Sequence, residues 1–139
     1  MSAAFIIDCS ITMAWCFADE ATPTSAKILD RLVAETALVP PLWFLEVVNV
    51  LAMAEKRKRI AADTSDEFLS LLNTFDIEVD SAAPGRAFTY LLPLCRSHGL
   101  TSYDAVYLDL AVRRGLPLAS LDNDLRRGAK TLGVELLGK

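Results

Sequence analysis

The run Phe5–Ile6–Ile7 constrains the fold more than any other stretch of this chain. Three bulky apolar residues in succession, two of them β-branched, read as a short strand buried on both faces. Asp8 closes the run, and Ser10 follows as the expected N-cap of a helix. An ionised carboxylate beside a dry core is costly unless something pairs with it. In an open parallel α/β sheet, ligands bind at the carboxyl ends of the strands, which is where Asp8 would stand.

The same grammar recurs downstream. Ser10–Ala18 reads as a short helix, and Pro23 breaks it. Thr24 or Ser25 is the expected cap of a helix over 25–36, with Ile28, Leu29, Leu32 and Val33 on one stripe. Ala37–Val39 is a brief extended piece. Pro40–Pro41 then opens a helix to about Arg59, because proline in the first turn sacrifices no hydrogen bond. Asp63 or Thr64 caps a fourth helix carrying Phe68, Leu71, Leu72 and Phe75, and 76–80 alternates as a half-exposed strand. Pro84 opens a fifth helix ending near His98–Gly99. Ser102 caps a sixth, Tyr103–Arg114, which Gly115 terminates. Pro117–Leu121 is an apolar strand, 123–131 a helix, and Val134–Leu137 a last strand. Strands alternating with helices predict an α/β domain with a mostly parallel sheet covered on both faces. At 139 residues, one domain over 1–139 is expected.

Composition excludes several classes. With 53% apolar and 23% charged residues the chain is globular rather than disordered. A net charge of −4 argues against bulk attraction to nucleic acid, but leaves room for a carboxylate cluster neutralised by a cation. Cys9, Cys16 and Cys95 are odd in number and lack metal-like spacing, so they read as reduced, buried thiols. No basic segment precedes a long apolar one near the N-terminus. Leu42–Ala54 is too short, and too interrupted by Glu46 and Asn49, to span a membrane. A cytoplasmic protein without membrane contact is expected.

Four acids stand out. Asp8 and Asp122 each follow an apolar strand and precede a helix, with Asp124 two residues on as an alternative cap or fourth acid. Glu46 lies in a helix apolar nearly all round and shares a face with Asn49, three residues away. Asp104 falls in the first turn of the helix after Thr101–Ser102, where the dipole favours an anion. Each has an ordinary explanation alone: a helix cap, a first-turn acid, a solvated polar stripe. Together, such carboxylates raise one another's pKa unless a cation compensates. Hard oxygen ligands point to Mg²⁺ or Mn²⁺, which can activate water against a phosphodiester. Zinc is disfavoured because His98 is the one histidine, placed at a helix C-terminus.

These stretches resemble the motifs of PIN domains. Ile7–Asp8–Cys9–Ser10 is similar to the family's opening, and Glu46–Leu51 to its internal Glu with Asn three later. Leu100–Leu108 resembles the third motif and Leu118–Leu125 the fourth, with Gly133–Val134 following. The resemblance covers essentially the whole chain in order, and the small size is like that of VapC toxins. It implies a PIN-like three-layer α/β/α fold around a mostly parallel sheet, and a Mg²⁺-dependent ribonuclease with Asp8, Glu46, Asp104 and Asp122 as catalytic and metal-binding acids. Ser10, Asn49, Thr101 and Asp124 are the supporting residues. A homodimer and a cognate VapB-like antitoxin are further implied.

Two rival readings fit the same residues. A haloacid dehalogenase-type phosphatase also begins with strand and Asp, but wants a second Asp where Ser10 stands. A catalytically silent RNA- or partner-binding module is the other rival. Lys56–Arg59, Arg113–Arg114 and Arg126–Arg127 are candidate phosphate contacts or solvated helix ends. Trp15, Phe17 and Trp43 are candidates for a partner surface or for plain core. Neither a P-loop nor a Gly-x-Gly-x-x-Gly stretch occurs.

Overall fold

The structure, a computed structural model, describes residues 2–138. Four parallel strands form its sheet in the order β3-β2-β1-β4: β1 (Phe5–Ile7), β2 (Ala37–Val39), β3 (Ile77–Val79) and β4 (Leu118–Ala119). Helices flank this sheet, giving the expected α/β architecture. β1 and β2 are buried at every residue, as continuous apolar runs in a covered parallel sheet should be. The edge strand β3 is only partly covered. The chain moves outward from β1 to β2 and β3, then returns to the other side of β1 at β4. That reversal of strand order puts a topological switch point between β1 and β4, the place where open α/β sheets bind ligands at their carboxyl ends.

Helix starts differ from expectation in instructive ways. Helix α1 (Cys9–Met13) is capped by Asp8 itself, not Ser10, because the Asp8 carboxylate accepts the Ile11 amide. It ends five residues before Ala18, and the chain turns so that Phe17 reaches the core. Pro23 begins helix α2 (Pro23–Arg31) rather than merely breaking its predecessor. Thr22 caps it in a reciprocal box with Ser25. Helix α3 spans Leu42–Lys56 behind Pro41, and helix α4 spans Ala62–Leu72 with no side-chain cap at all.

The fifth predicted helix is three pieces: α5 (Ala83–Arg86), a π-helical stretch (Ala87–Leu91) and α6 (Leu92–His98). Pro93 has no amide to close the turn back on Thr89, and a widened turn absorbs the defect. Helix α7 (Ser102–Arg114) is capped by Thr101, not Ser102, so Asp104 occupies the third helical position. Gly99 and Gly115 end α6 and α7 at φ of 62° and 63°, the left-handed conformation glycine adopts freely. Helix α8 (Asn123–Thr131) is capped by Asp122, not Asp124. The expected last strand shrinks to a bridge between Leu136 and Leu118. Among the described residues no helix is long and apolar enough to cross a membrane.

The core joins Phe5, Ile6, Ile7, Leu38, Val39, Leu108, Leu118 and Leu125, all without accessible surface. Phe17 and Trp43 belong to it, and Trp15 packs against it. The exposed large apolar residues of α3 are instead Phe44, Leu45, Val48 and Met53. The three cysteines are free and half-buried.

An ion network braces the edge. Asp80, just after β3, accepts paired bonds from Arg113 and one from Arg114. Arg114 also reaches Glu78, and Arg86 grips Asp109 with two bonds. The Arg113 guanidinium first of all holds the Asp80 carboxyl well below the usual carboxylate range. A depressed acid stabilises the fold above its unfolded pKa, and that stability is lost as pH falls. Asp80→Asn should therefore cost about 2 kcal/mol at pH 7. The wild-type and variant urea midpoints should approach each other below about pH 4.

Candidate active site

Asp8 sits at the end of β1, 4% exposed. Its Oδ1 accepts from the Ser10 hydroxyl (2.7 Å) and the Ile11 amide (3.0 Å). Its Oδ2 accepts from the Ser120 hydroxyl, which is buried at the end of β4. Each serine oxygen in turn accepts a backbone amide: Ser10 from Leu121 (2.8 Å) and Ser120 from Asp122 (3.0 Å). Burial pushes the Asp8 carboxyl above its ordinary range. The Ser120, Ser10 and Ile11 donors oppose the shift, and the Asp122 charge adds to it.

Glu46 comes from the first half of α3. It is placed by Trp43, one turn earlier, whose indole donates to Thr12 Oγ1 (3.0 Å). The Thr12 hydroxyl in turn donates to the Asp8 carbonyl (2.8 Å), so α3 is tied to the end of β1 through buried groups. The Tyr107 phenol donates to Glu46 Oε1 at 2.6 Å. Burial raises the Glu46 pKa, Tyr107 pulls it down, and the charges of Asp8 and Asp104 push it up again.

Asp104 is half-buried at the start of α7, and its carboxylate accepts no hydrogen bond among the described residues. Burial, then the charges of Asp122, Asp8 and Asp124, raise its pKa to about 6. Asp122 Oδ1 accepts the Leu125 amide (2.9 Å) as a helix cap, leaving Oδ2 free. The structure thus brings Asp8, Glu46, Asp104 and Asp122 within electrostatic reach of one another.

The supporting residues separate. Ser10 touches Asp8 directly. Thr101 spends its hydroxyl on the Asp104 amide, so it orients the helix start rather than the carboxylate. Asn49 is exposed and makes no hydrogen bond to Glu46 among the described residues. Asp124 is exposed and pairs with Arg127 (2.8 Å), which is why it neither caps α8 nor joins the cluster closely. Ser120, Tyr107, Thr12 and Trp43 were not singled out as site residues from sequence. The available signals were a lone hydroxyl two residues before Asp122 and a tyrosine one turn beyond Asp104.

The basic pairs are mostly engaged elsewhere. Arg59 bridges Asp19 and Glu20, Arg113 and Arg114 hold Asp80, and Arg126 donates to the Ser120 and Gly138 carbonyls. Lys56, Arg57 and Lys58 are exposed and form no ion pair among the described residues.

No ion pair among the described residues involves any of the four acids, so their charge is uncompensated by protein cations. Their free oxygens are hard donors: both of Asp104, Oε2 of Glu46 and Oδ2 of Asp122. That chemistry fits a divalent cation such as Mg²⁺ or Mn²⁺. Among the described residues no three acid, thiol or imidazole groups already stand close enough to clasp one ion. Burial, followed by the charges of Glu46 and Asp8, pushes the neighbouring Cys9 thiol up to about 12, so it stays protonated and is a poor ligand.

The family model of the PIN domain matches residues 5–131. The chain belongs to the PIN domain family. PIN domains are generally nucleases that need metal ions. The crystal structure of PAE2754 from Pyrobaculum aerophilum is similar over 97% of this chain and 84% of that one, with a TM-score of 0.69. At 24% identity this likeness concerns the fold alone. No curated protein matches the sequence.

The crowding of the acids has a cost that can be measured. A carboxyl whose folded pKa is raised lowers stability as pH climbs through the window between its unfolded and folded values. Without added divalent ions, Asp104→Asn should raise stability by on the order of 1 kcal/mol above pH 6, after screening of a half-buried group. Melting temperatures of variant and wild type should converge near pH 3.5. A difference independent of pH would contradict this electrostatic origin.

Proposed function

We propose that this PIN domain hydrolyses RNA phosphodiester bonds with Mg²⁺ or Mn²⁺, and that Asp8, Glu46, Asp104 and Asp122 hold the ion and its surroundings. The observation that carries the reading is four carboxylates within electrostatic reach of one another near the carboxyl ends of β1 and β4, with no ion pair to any of them among the described residues. When bound there, a divalent cation supplies activation of water and neutralisation of charge on the scissile phosphate. The chain contributes the geometry. Asp8 is fixed by three donors, and Asp104 is left unbonded and half-exposed where substrate can approach. Thr12 and Trp43 maintain the spacing between β1 and the helix that bears Glu46.

A toxin role, with a VapB-like antitoxin and a homodimer, is the finer reading. It draws on the resemblance of the motifs to PIN domains and on the likeness in size of this single domain to VapC toxins. The open apolar groove between α3 and α4, lined in part by Trp43, Phe44, Val48 and Leu69, offers area for a partner. The haloacid dehalogenase-type reading fares worse. Ser10 stands where that chemistry needs an acid, and its hydroxyl is committed to Asp8 and Leu121.

RNA cleavage by the wild type should require Mg²⁺ or Mn²⁺ and stop with EDTA. Asp8→Asn and Asp122→Asn, which keep an oxygen for the helix cap, should each cut cleavage at least about 100-fold, more than loss of an outer support costs. Circular dichroism should show both variants folded. Full cleavage by either would remove that acid from the set. Phosphate release from small phosphoesters with RNA intact would reverse the assignment, and Mg²⁺ binding without either activity would leave a silent module.

A further inference from the structure

Tyr107 is 1% exposed and among the largest enclosed side chains of the described residues, yet its one polar atom ends on a half-buried acid of the site. It lies one turn beyond Asp104 on α7, so a single helix carries both a free carboxylate and a donor aimed at a carboxylate on another helix. Resting on the metal-dependent reading above, we propose that Tyr107 is a positioning residue. Its phenol locks the Glu46 carboxylate by Oε1, so that Oε2 is the oxygen left to serve the ion.

The chemistry of the pair leaves the phenol no other task. The ring is enclosed in the core and the hydroxyl proton is given to Glu46 Oε1, so the phenol is placed to orient that carboxylate. Glu46 accepts, and the bond at 2.6 Å is in the range of a charge-assisted hydrogen bond. A glutamate has several freely rotating torsions. A buried ring fixed by packing is a stiffer guide than anything on α3 itself, whose neighbouring Asn49 is exposed and makes no bond to Glu46 among the described residues. Trp43 sets the height of α3 through Thr12, and Tyr107 sets the rotation of the carboxylate.

Mn²⁺ binding, followed by calorimetry and by the electron paramagnetic resonance of the free ion, tests this without any substrate. Tyr107→Phe should weaken binding roughly tenfold, with its melting temperature close to wild type. In a Glu46→Ala background the same substitution should produce no further loss. A Tyr107→Phe protein that binds Mn²⁺ like wild type while Glu46→Ala binds poorly overturns the positioning role and leaves the metal-dependent reading standing. Equal losses in both backgrounds also overturn it, since they mark a general packing effect. A wild-type protein that fails to bind Mn²⁺ brings down the metal-dependent reading and this proposal together. One further readout does not depend on how the variants fold. The wild-type proton spectrum should contain a downfield, slowly exchanging phenolic hydroxyl that shifts on addition of Mg²⁺, and its absence counts against the lock.

Discussion

The bond from two serine hydroxyls to one aspartate holds the rest in place. A hydroxyl has a single proton to give. Ser10 and Ser120 each accept a backbone amide from the loop after β4, so both protons are directed to Asp8. The carboxylate therefore stitches β1 to β4 beyond the point where the ladder stops, at the Asp8 amide and Ala119 carbonyl. With strands of three and two residues, the sheet alone could not fix that loop. Charge-assisted bonds are worth roughly 1.5–3 kcal/mol each. Burial of a charge costs several, and burial prevails in the net shift of Asp8.

Helix α7 is organised by opposite electrostatics at its two ends. Its start offers Asp104 to a region of excess negative charge, while Arg113 and Arg114 at its end are absorbed by Asp80 and Glu78. Arg86 neutralises Asp109 between them. Arginines that could have quenched the acid cluster are committed to holding helices against the edge of the sheet. The site keeps its field because the scaffold uses up those cations.

Much of this was legible in the sequence. Phe5–Ile7 is a buried strand, Gly115 ends α7, and the span 123–131 is the last helix. Periodicity and punctuation decide such features locally. Three caps were displaced by one to three residues, because Asp8, Thr22 and Thr101 all had acceptable neighbours and only the path of the backbone chose among them; at α8 it chose Asp122 over Asp124. The π-helical turn was not foreseen: Pro93 falls inside the expected helix from Pro84 to His98, and spacing alone does not say how the backbone widens around it. Sequence marked the four acids as candidates, but their hydrogen-bonding partners came from segments 61 and 112 residues distant. That Asn49 and Asp124 are exposed and the arginine pairs engaged elsewhere depends on contacts that no local spacing encodes.

Asp8 and Asp122 each begin a helix as well as standing among the four acids, and Glu46 satisfies a buried phenol. Asp104 alone among the four has no such second employment. Descendants released from selection for chemistry would thus shed their acids unevenly. Asp104 would drift first, freed even of the repulsion it imposes, while the two helix-starting aspartates would survive as fossils of folding.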